Sequence, residues 1–166
     1  MQLRLVFSLL GSRVRDRSRP VALVLAIGGA GALLAGASPP TTSEVTVVAT
    51  GLRNAHGVVR ACMTGAVNHF PSCKDPASSY STVSDAGGSV TLTFRDVKPG
   101  RYAIALLHDE NRNGRADRAA MMIPKEGFGF SRDAKVRFGP PRFGEAAFEV
   151  APGASEKLLI RMRYLL

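Results

Sequence analysis

Nine successive residues, Asp109-Glu110-Asn111-Arg112-Asn113-Gly114-Arg115-Ala116-Asp117, read D-x-N-x-N-G-x-x-D. Calcium loops use this spacing because a tight turn with Gly at its sixth position aims the side-chain oxygens of positions 1, 3 and 5 at one centre. Position 7 adds a backbone carbonyl and position 9 a further oxygen. The matching set is Asp109, Asn111, Asn113, the carbonyl of Arg115, and Asp117. Position 12, a bidentate Glu in an EF-hand, is Ala120 here, and no helical pattern flanks the loop. Closure of a metal shell would fall to water or to a distant carboxylate such as Glu126 or Asp133. Of the matched ligands only Asp109 and Asp117 are charged, and Arg112, Arg115 and Arg118 lie close by. If calcium binds here, the site is therefore expected to be weak, at roughly 10⁻⁴ to 10⁻³ M. A metal-free turn competes with it, because Asn and Asp side chains cap their own backbone and Asn-Gly favours turns.

Other groups that do chemistry elsewhere are poorly placed for it here. Ser131 follows Gly127-Phe128-Gly129-Phe130 without a G-x-S-x-G elbow, and no zinc spacing such as H-E-x-x-H occurs. His108 stands beside Asp109 and Glu110, where a loop-supporting hydrogen bond competes with an acid–base role shared with Asp109 or Glu126. Lys125 and Glu126 would point to opposite faces of an extended segment, so a salt bridge from Glu126 to Arg112 or Arg118 is expected. No catalytic set emerges, and the chain is expected not to be an enzyme. Phe128 and Phe130 share a face if extended. With Phe143 they are either core or an aromatic surface for an envelope glycan or a small hydrophobic ligand.

These residues need a scaffold, and the pattern that supplies it is β. Alternating or β-branched segments at 44–50, 57–64, 89–97, 101–108, 119–123, 146–150 and 157–164 recur between turn signals. About seven short strands point to an all-β sandwich. Val90, Leu92 and Phe94 alternate with Thr91, Thr93 and Arg95, as in a strand with one wet face. Tyr102, Ile104 and Leu106 interleave with Ala103, Ala105 and Leu107, so the strand they form should be central, and its far end delivers His108-Asp109 into the loop. Val97-Lys98-Pro99-Gly100 predicts a hairpin between these two strands. Gly139-Pro140-Pro141 marks a rigid loop.

The first 37 residues read as an export leader. Arg4, Arg13, Arg15, Arg17 and Arg19 precede an apolar run over 21–34, and Ala35-Gly36-Ala37 matches the signal-peptidase pattern. Residues 38–43 form a disordered lead-in and 44–166 a single domain, periplasmic or secreted, with no permanent membrane span after cleavage. Without the leader the chain keeps 17 basic and 12 acidic residues, a net charge of +5 rather than +9. These charges form no Lys/Arg block, so no nucleic acid is expected as partner; an unknown envelope component is. Cys62 and Cys73 are the only cysteines. In an exported chain they should pair, closing a short loop for roughly 3 kcal/mol.

Beyond the loop, longer motifs carry a resemblance. The G-x-Y-A strand from Gly100, H-D-E-N-x-N-G-x-x-D from His108, I-P-x-E-G-x-G-F-S from Ile123 and P-P-x-F-x-x-A from Pro140 are ordered as in an exported bacterial family named domain of unknown function 2141, which this chain resembles. The resemblance implies a single immunoglobulin-like or transthyretin-like β domain and no established activity.

Overall fold

A computed structural model describes residues 41–119 and 123–166. The expected leader and most of the lead-in lie outside the described residues. So do Ala120, Met121 and Met122, which make up most of the strand expected at 119–123.

Eight strands are present: β1 Ser43–Thr50, β2 Val58–Thr64, β3 Ser79–Asp85, β4 Ser89–Val97, β5 Gly100–Asp109, β6 Gly127–Phe130, β7 Phe148–Val150 and β8 Ser155–Arg161. A short helix, α1, spans Phe143–Ala146. One sheet has the order β4-β1-β8, with β8 parallel to β1. The other runs β3-β2-β5-β6, with β7 paired to the start of β5. The architecture is an all-β sandwich. Among the described residues no helix is long and apolar enough to cross a membrane.

Period-2 patterning explains the main core. Val45, Val47 and Ala49 of β1 and Val90, Leu92 and Phe94 of β4 face Val59, Ala61 and Met63 of β2 and Tyr102, Ile104 and Leu106 of β5 across the sandwich. β5 is central, as its two apolar faces require. Its reverse face, through Ala103, meets a second and smaller core of Phe130, Ala134, Phe143, Ala146 and Ala147.

Two strands escape the sequence pattern. β3, SYSTVSD, pairs only with β2, and an edge strand with a wet face needs few apolar residues. β6, GFGF, reads as a glycine-rich loop, yet it completes the free edge of β5. The glycines answer to close packing, since a Cβ at Gly129 would lie 2.8 Å from the Ile160 side chain and one at Gly127 would lie within the Tyr164 ring.

The hairpin expected at 97–100 is not one, for β4 and β5 belong to different sheets. A bulge shifts the register where β1 residues 43–45 face β4 residues 94–97, with Asp96 at φ +54°, so β4 ends on Val97, paired with Ser43, just before the chain crosses to the other sheet. The Tyr102 hydroxyl then donates to the Lys98 carbonyl at 3.0 Å, and the Lys98 N–H donates to the Tyr80 hydroxyl at 3.0 Å. This resembles the tyrosine corner of immunoglobulin-type sandwiches, in which a Tyr at a strand start pins the crossing between sheets.

Candidate functional site

β5 ends inside the acidic-asparagine loop, and Asp109, its last residue, is fully buried. Its Oδ1 accepts from the Asn113 N–H at 3.0 Å and its Oδ2 from the Gly114 N–H at 2.9 Å. Asn111 Oδ1 also accepts from the Asn113 N–H, at 3.1 Å, and Asn113 Oδ1 from the Arg115 N–H at 2.8 Å. The loop is thus a ladder of Asx turns, and Gly114 at φ +75° supplies the left-handed residue it needs. The side-chain amides of Asn111 and Asn113 donate to the Asp117 carboxylate at 2.8 and 3.0 Å. All five matched residues therefore belong to one cluster, although Arg115 enters it only through its backbone.

One charge in the cluster comes from another strand. Arg60 on β2 donates its Nε to Asp109 Oδ2 at 2.6 Å. Burial alone would push the Asp109 carboxyl up, but Arg60 and the Gly114 and Asn113 N–H groups hold it below its usual range. Glu126 has no such cation. It is 4% exposed, and its two oxygens accept from the backbone N–H groups of Glu110, at 3.2 Å, and Asp117, at 3.0 Å. Its burial, with the Asp117 and Asp109 charges adding, pushes its carboxyl up. Of the two distant carboxylates considered for closing a metal shell, Glu126 lies at the loop. Asp133 pairs instead with Arg163 at 2.7 Å. The salt bridge expected from Glu126 to Arg112 or Arg118 does not form; Arg112 reaches Asp85 at 2.8 Å. Buried against two backbone donors, the Glu126 carboxylate is turned away from the wet face on which these arginines lie.

The neighbouring groups tie this loop to the rest of the domain. Glu110 grips Arg53 through both carboxylate oxygens and accepts from the Asn54 amide. The Arg53 hydrogen bond holds the Glu110 carboxyl down at about 2. Arg53 also donates to the carbonyls of Lys125 and Leu166 and lies over the Tyr164 ring, 4.7 Å from its centroid. His108, fully buried, has Nε2 2.8 Å from the His56 carbonyl and Nδ1 2.7 Å from the Tyr164 hydroxyl. A carbonyl only accepts, so the hydrogen is assigned to Nε2, and Nδ1 accepts a hydrogen bond from the Tyr164 hydroxyl. Gly57, at φ +70°, lets the β1–β2 connection pass directly over Asp109, whose carbonyl would clash with a Cβ there.

The remaining sequence candidates lie elsewhere. Ser131 is fully buried; its hydroxyl accepts from the Ile104 N–H at 2.9 Å and donates to the Ala146 carbonyl at 2.6 Å. Phe128 and Phe130 do share a face, with ring centroids 6.0 Å apart. Phe130 and Phe143 are buried in the second core and offer no ring to solvent, whereas Phe128 is half-buried in the wall of an open groove. Cys62 of β2 is bonded to Cys73, their Cα atoms 5.6 Å apart. Arg53, Arg60 and Tyr164 escaped the sequence reading, since each lies 49 or more residues from the loop group it binds. Among the described residues no three His, Cys, Asp or Glu side chains converge as a metal cluster.

Residues 47–157 match the family described as an uncharacterized protein conserved in bacteria, DUF2141. No curated protein and no solved structure matches the chain.

Proposed function

The chain belongs to this family of uncharacterized proteins conserved in bacteria, and we propose that it works as a non-enzymatic β-sandwich module of the periplasm or cell envelope, through binding or structural support, with a weak calcium site at 109–117. The observation that carries the non-catalytic part is the engagement of the buried His108, Ser131, Asp109 and Glu126 side chains. Ser131 spends its hydroxyl, and Asp109 and Glu126 their oxygens, on backbone groups, while the His108 ring nitrogens are taken by the His56 carbonyl and the Tyr164 hydroxyl. A general acid or base needs an atom within reach of a substrate.

The calcium part is supported by the Asx ladder, which prearranges Asp109, Asn111, Asn113 and Asp117, and by Glu126, a buried carboxylate without a cation. Arg60 opposes it by already meeting half of the Asp109 charge, which argues for low affinity. Calorimetric titration with calcium and thermal melting test it, with Asp117→Ala as the ligand variant that leaves the Asp109 bonds in place, and Asp109→Asn as a second whose calcium-free melt measures the cost of setting an NH2 against a backbone N–H. Tenfold excess over Kd should add about 1.4 kcal/mol, or roughly 5 °C in Tm, lost in both variants. No saturable heat at millimolar calcium would reduce the loop to a structural turn held by Arg60.

Ligand binding through aromatic side chains is the second reading. With Phe130 and Phe143 inside, it rests on Phe128 alone.

A further inference from the structure

The segment 135–142, Lys-Val-Arg-Phe-Gly-Pro-Pro-Arg, has three cations, no acid and a fully exposed phenylalanine. Its two ends are pinned. Val136 packs against the second core, Pro141 is buried and Phe143 belongs to that core. Lys135 and Arg137, on either side of the half-buried Val136, are exposed, and the Phe138 ring that follows stands in solvent beside the stiff Gly139-Pro140-Pro141 run. The Phe138 ring is bare although Val136 and Phe143, on either side of it in the chain, pack into the second core, so its neighbours hold it away from that core.

The charge around the tip continues beyond the segment. Lys135 and Arg137 line an open groove together with Arg161, Arg163, Phe128 and Leu165. Asp133, in the same groove, answers only the Arg163 charge, at 2.7 Å. Leu165 is itself more than half exposed. An apolar tip with a collar of cations is complementary to a surface that is anionic outside and hydrocarbon beneath. A soluble polyanion would use the cations and leave the Phe138 ring in water.

We propose that the 135–142 loop docks this domain on an anionic phospholipid surface, with Phe138 entering the headgroup layer and Lys135, Arg137, Arg142 and Arg161 facing lipid phosphates. This docking is independent of whether the 109–117 loop binds calcium.

The chain has no tryptophan, so Phe138→Trp places a single indole at the tip. Its emission is read in the full chain on adding vesicles of phosphatidylcholine with or without phosphatidylglycerol. Val83→Trp, on exposed β3, is the control for adsorption by any other part of the molecule. The expected result is a blue shift at position 138 with anionic vesicles only, and none at position 83. Adding Lys135→Gln and Arg137→Gln to Phe138→Trp should lower partitioning about thirtyfold, at about fivefold per basic residue near an anionic surface. An unshifted spectrum at 138, equal shifts at 138 and 83, or equal shifts with neutral vesicles would each overturn the proposal. A spectrum moved by a soluble sulfated oligosaccharide but not by vesicles would overturn it in favour of a free polyanion. These surface substitutions should leave the thermal melt unchanged, since the Phe138 ring is bare.

Discussion

Two carboxylates at one loop, Glu110 within it and Glu126 packed against it, respond to acid in opposite senses. Glu110 is held down at about 2 by Arg53, against 4.5 in an unfolded chain, so its stabilising effect is complete above pH 4.5 and is lost as pH falls toward 2. Glu126 is pushed up by burial, so protonation favours the fold, and its contribution fades as pH rises through its folded value. Arg53 is 37% exposed, and solvent screening reduces the worth of its pair to about 1 kcal/mol. Glu110→Gln should therefore lower the urea stability by that amount at pH 7 and by almost nothing near pH 2. A deficit of equal size at both pH values would mean that the substitution acts through packing rather than charge. The Asx ladder could be read from the sequence because every bond in it spans five residues or fewer. Arg60 and Glu126 could not, for their places depend on strand register and on the return of the chain after residue 117.

The element on which the fold turns is the corner between β4 and β5. Proline and glycine at 99–100 correctly mark a tight connection, and nothing local reveals that it crosses between sheets. That depends on free edges, since β4 pairs with β1 while β5 is taken by β2, β6 and β7. The bulge at Asp96 and the bond from Tyr102 to Lys98 then stabilise the crossing. Tyr102→Phe removes that bond and keeps the ring, so it should cost about 1 kcal/mol, seen as a lower denaturation midpoint with an unchanged slope. A variant as stable as the parent would show that the ring alone holds the corner. The same dependence on edges explains β3 and β6, which pair because β2 and β5 offer them an edge.

At the scale of the molecule, the apolar run at 21–34 before Ala35-Gly36-Ala37 carries an expectation of export. Protein recovered from the bacterial envelope should have Ser38 as its first residue by mass spectrometry; an intact Met1 start there would set the leader reading aside. The Cys62–Cys73 bond is in keeping with an oxidising compartment. By itself the sequence determined the β class, the central place of β5, the partner of each cysteine and the turn ladder of the acidic loop. All of these follow from short-range periodicity, local hydrogen bonding or a count of two. Only the tertiary structure decided which sheet each strand joins, that Phe130 and Phe143 turn inward while Phe138 turns outward, and that Arg53 and Arg60 answer the loop's charges. Those outcomes depend on which edges and surfaces remain uncovered once the whole chain has packed, a quantity no short window of residues contains.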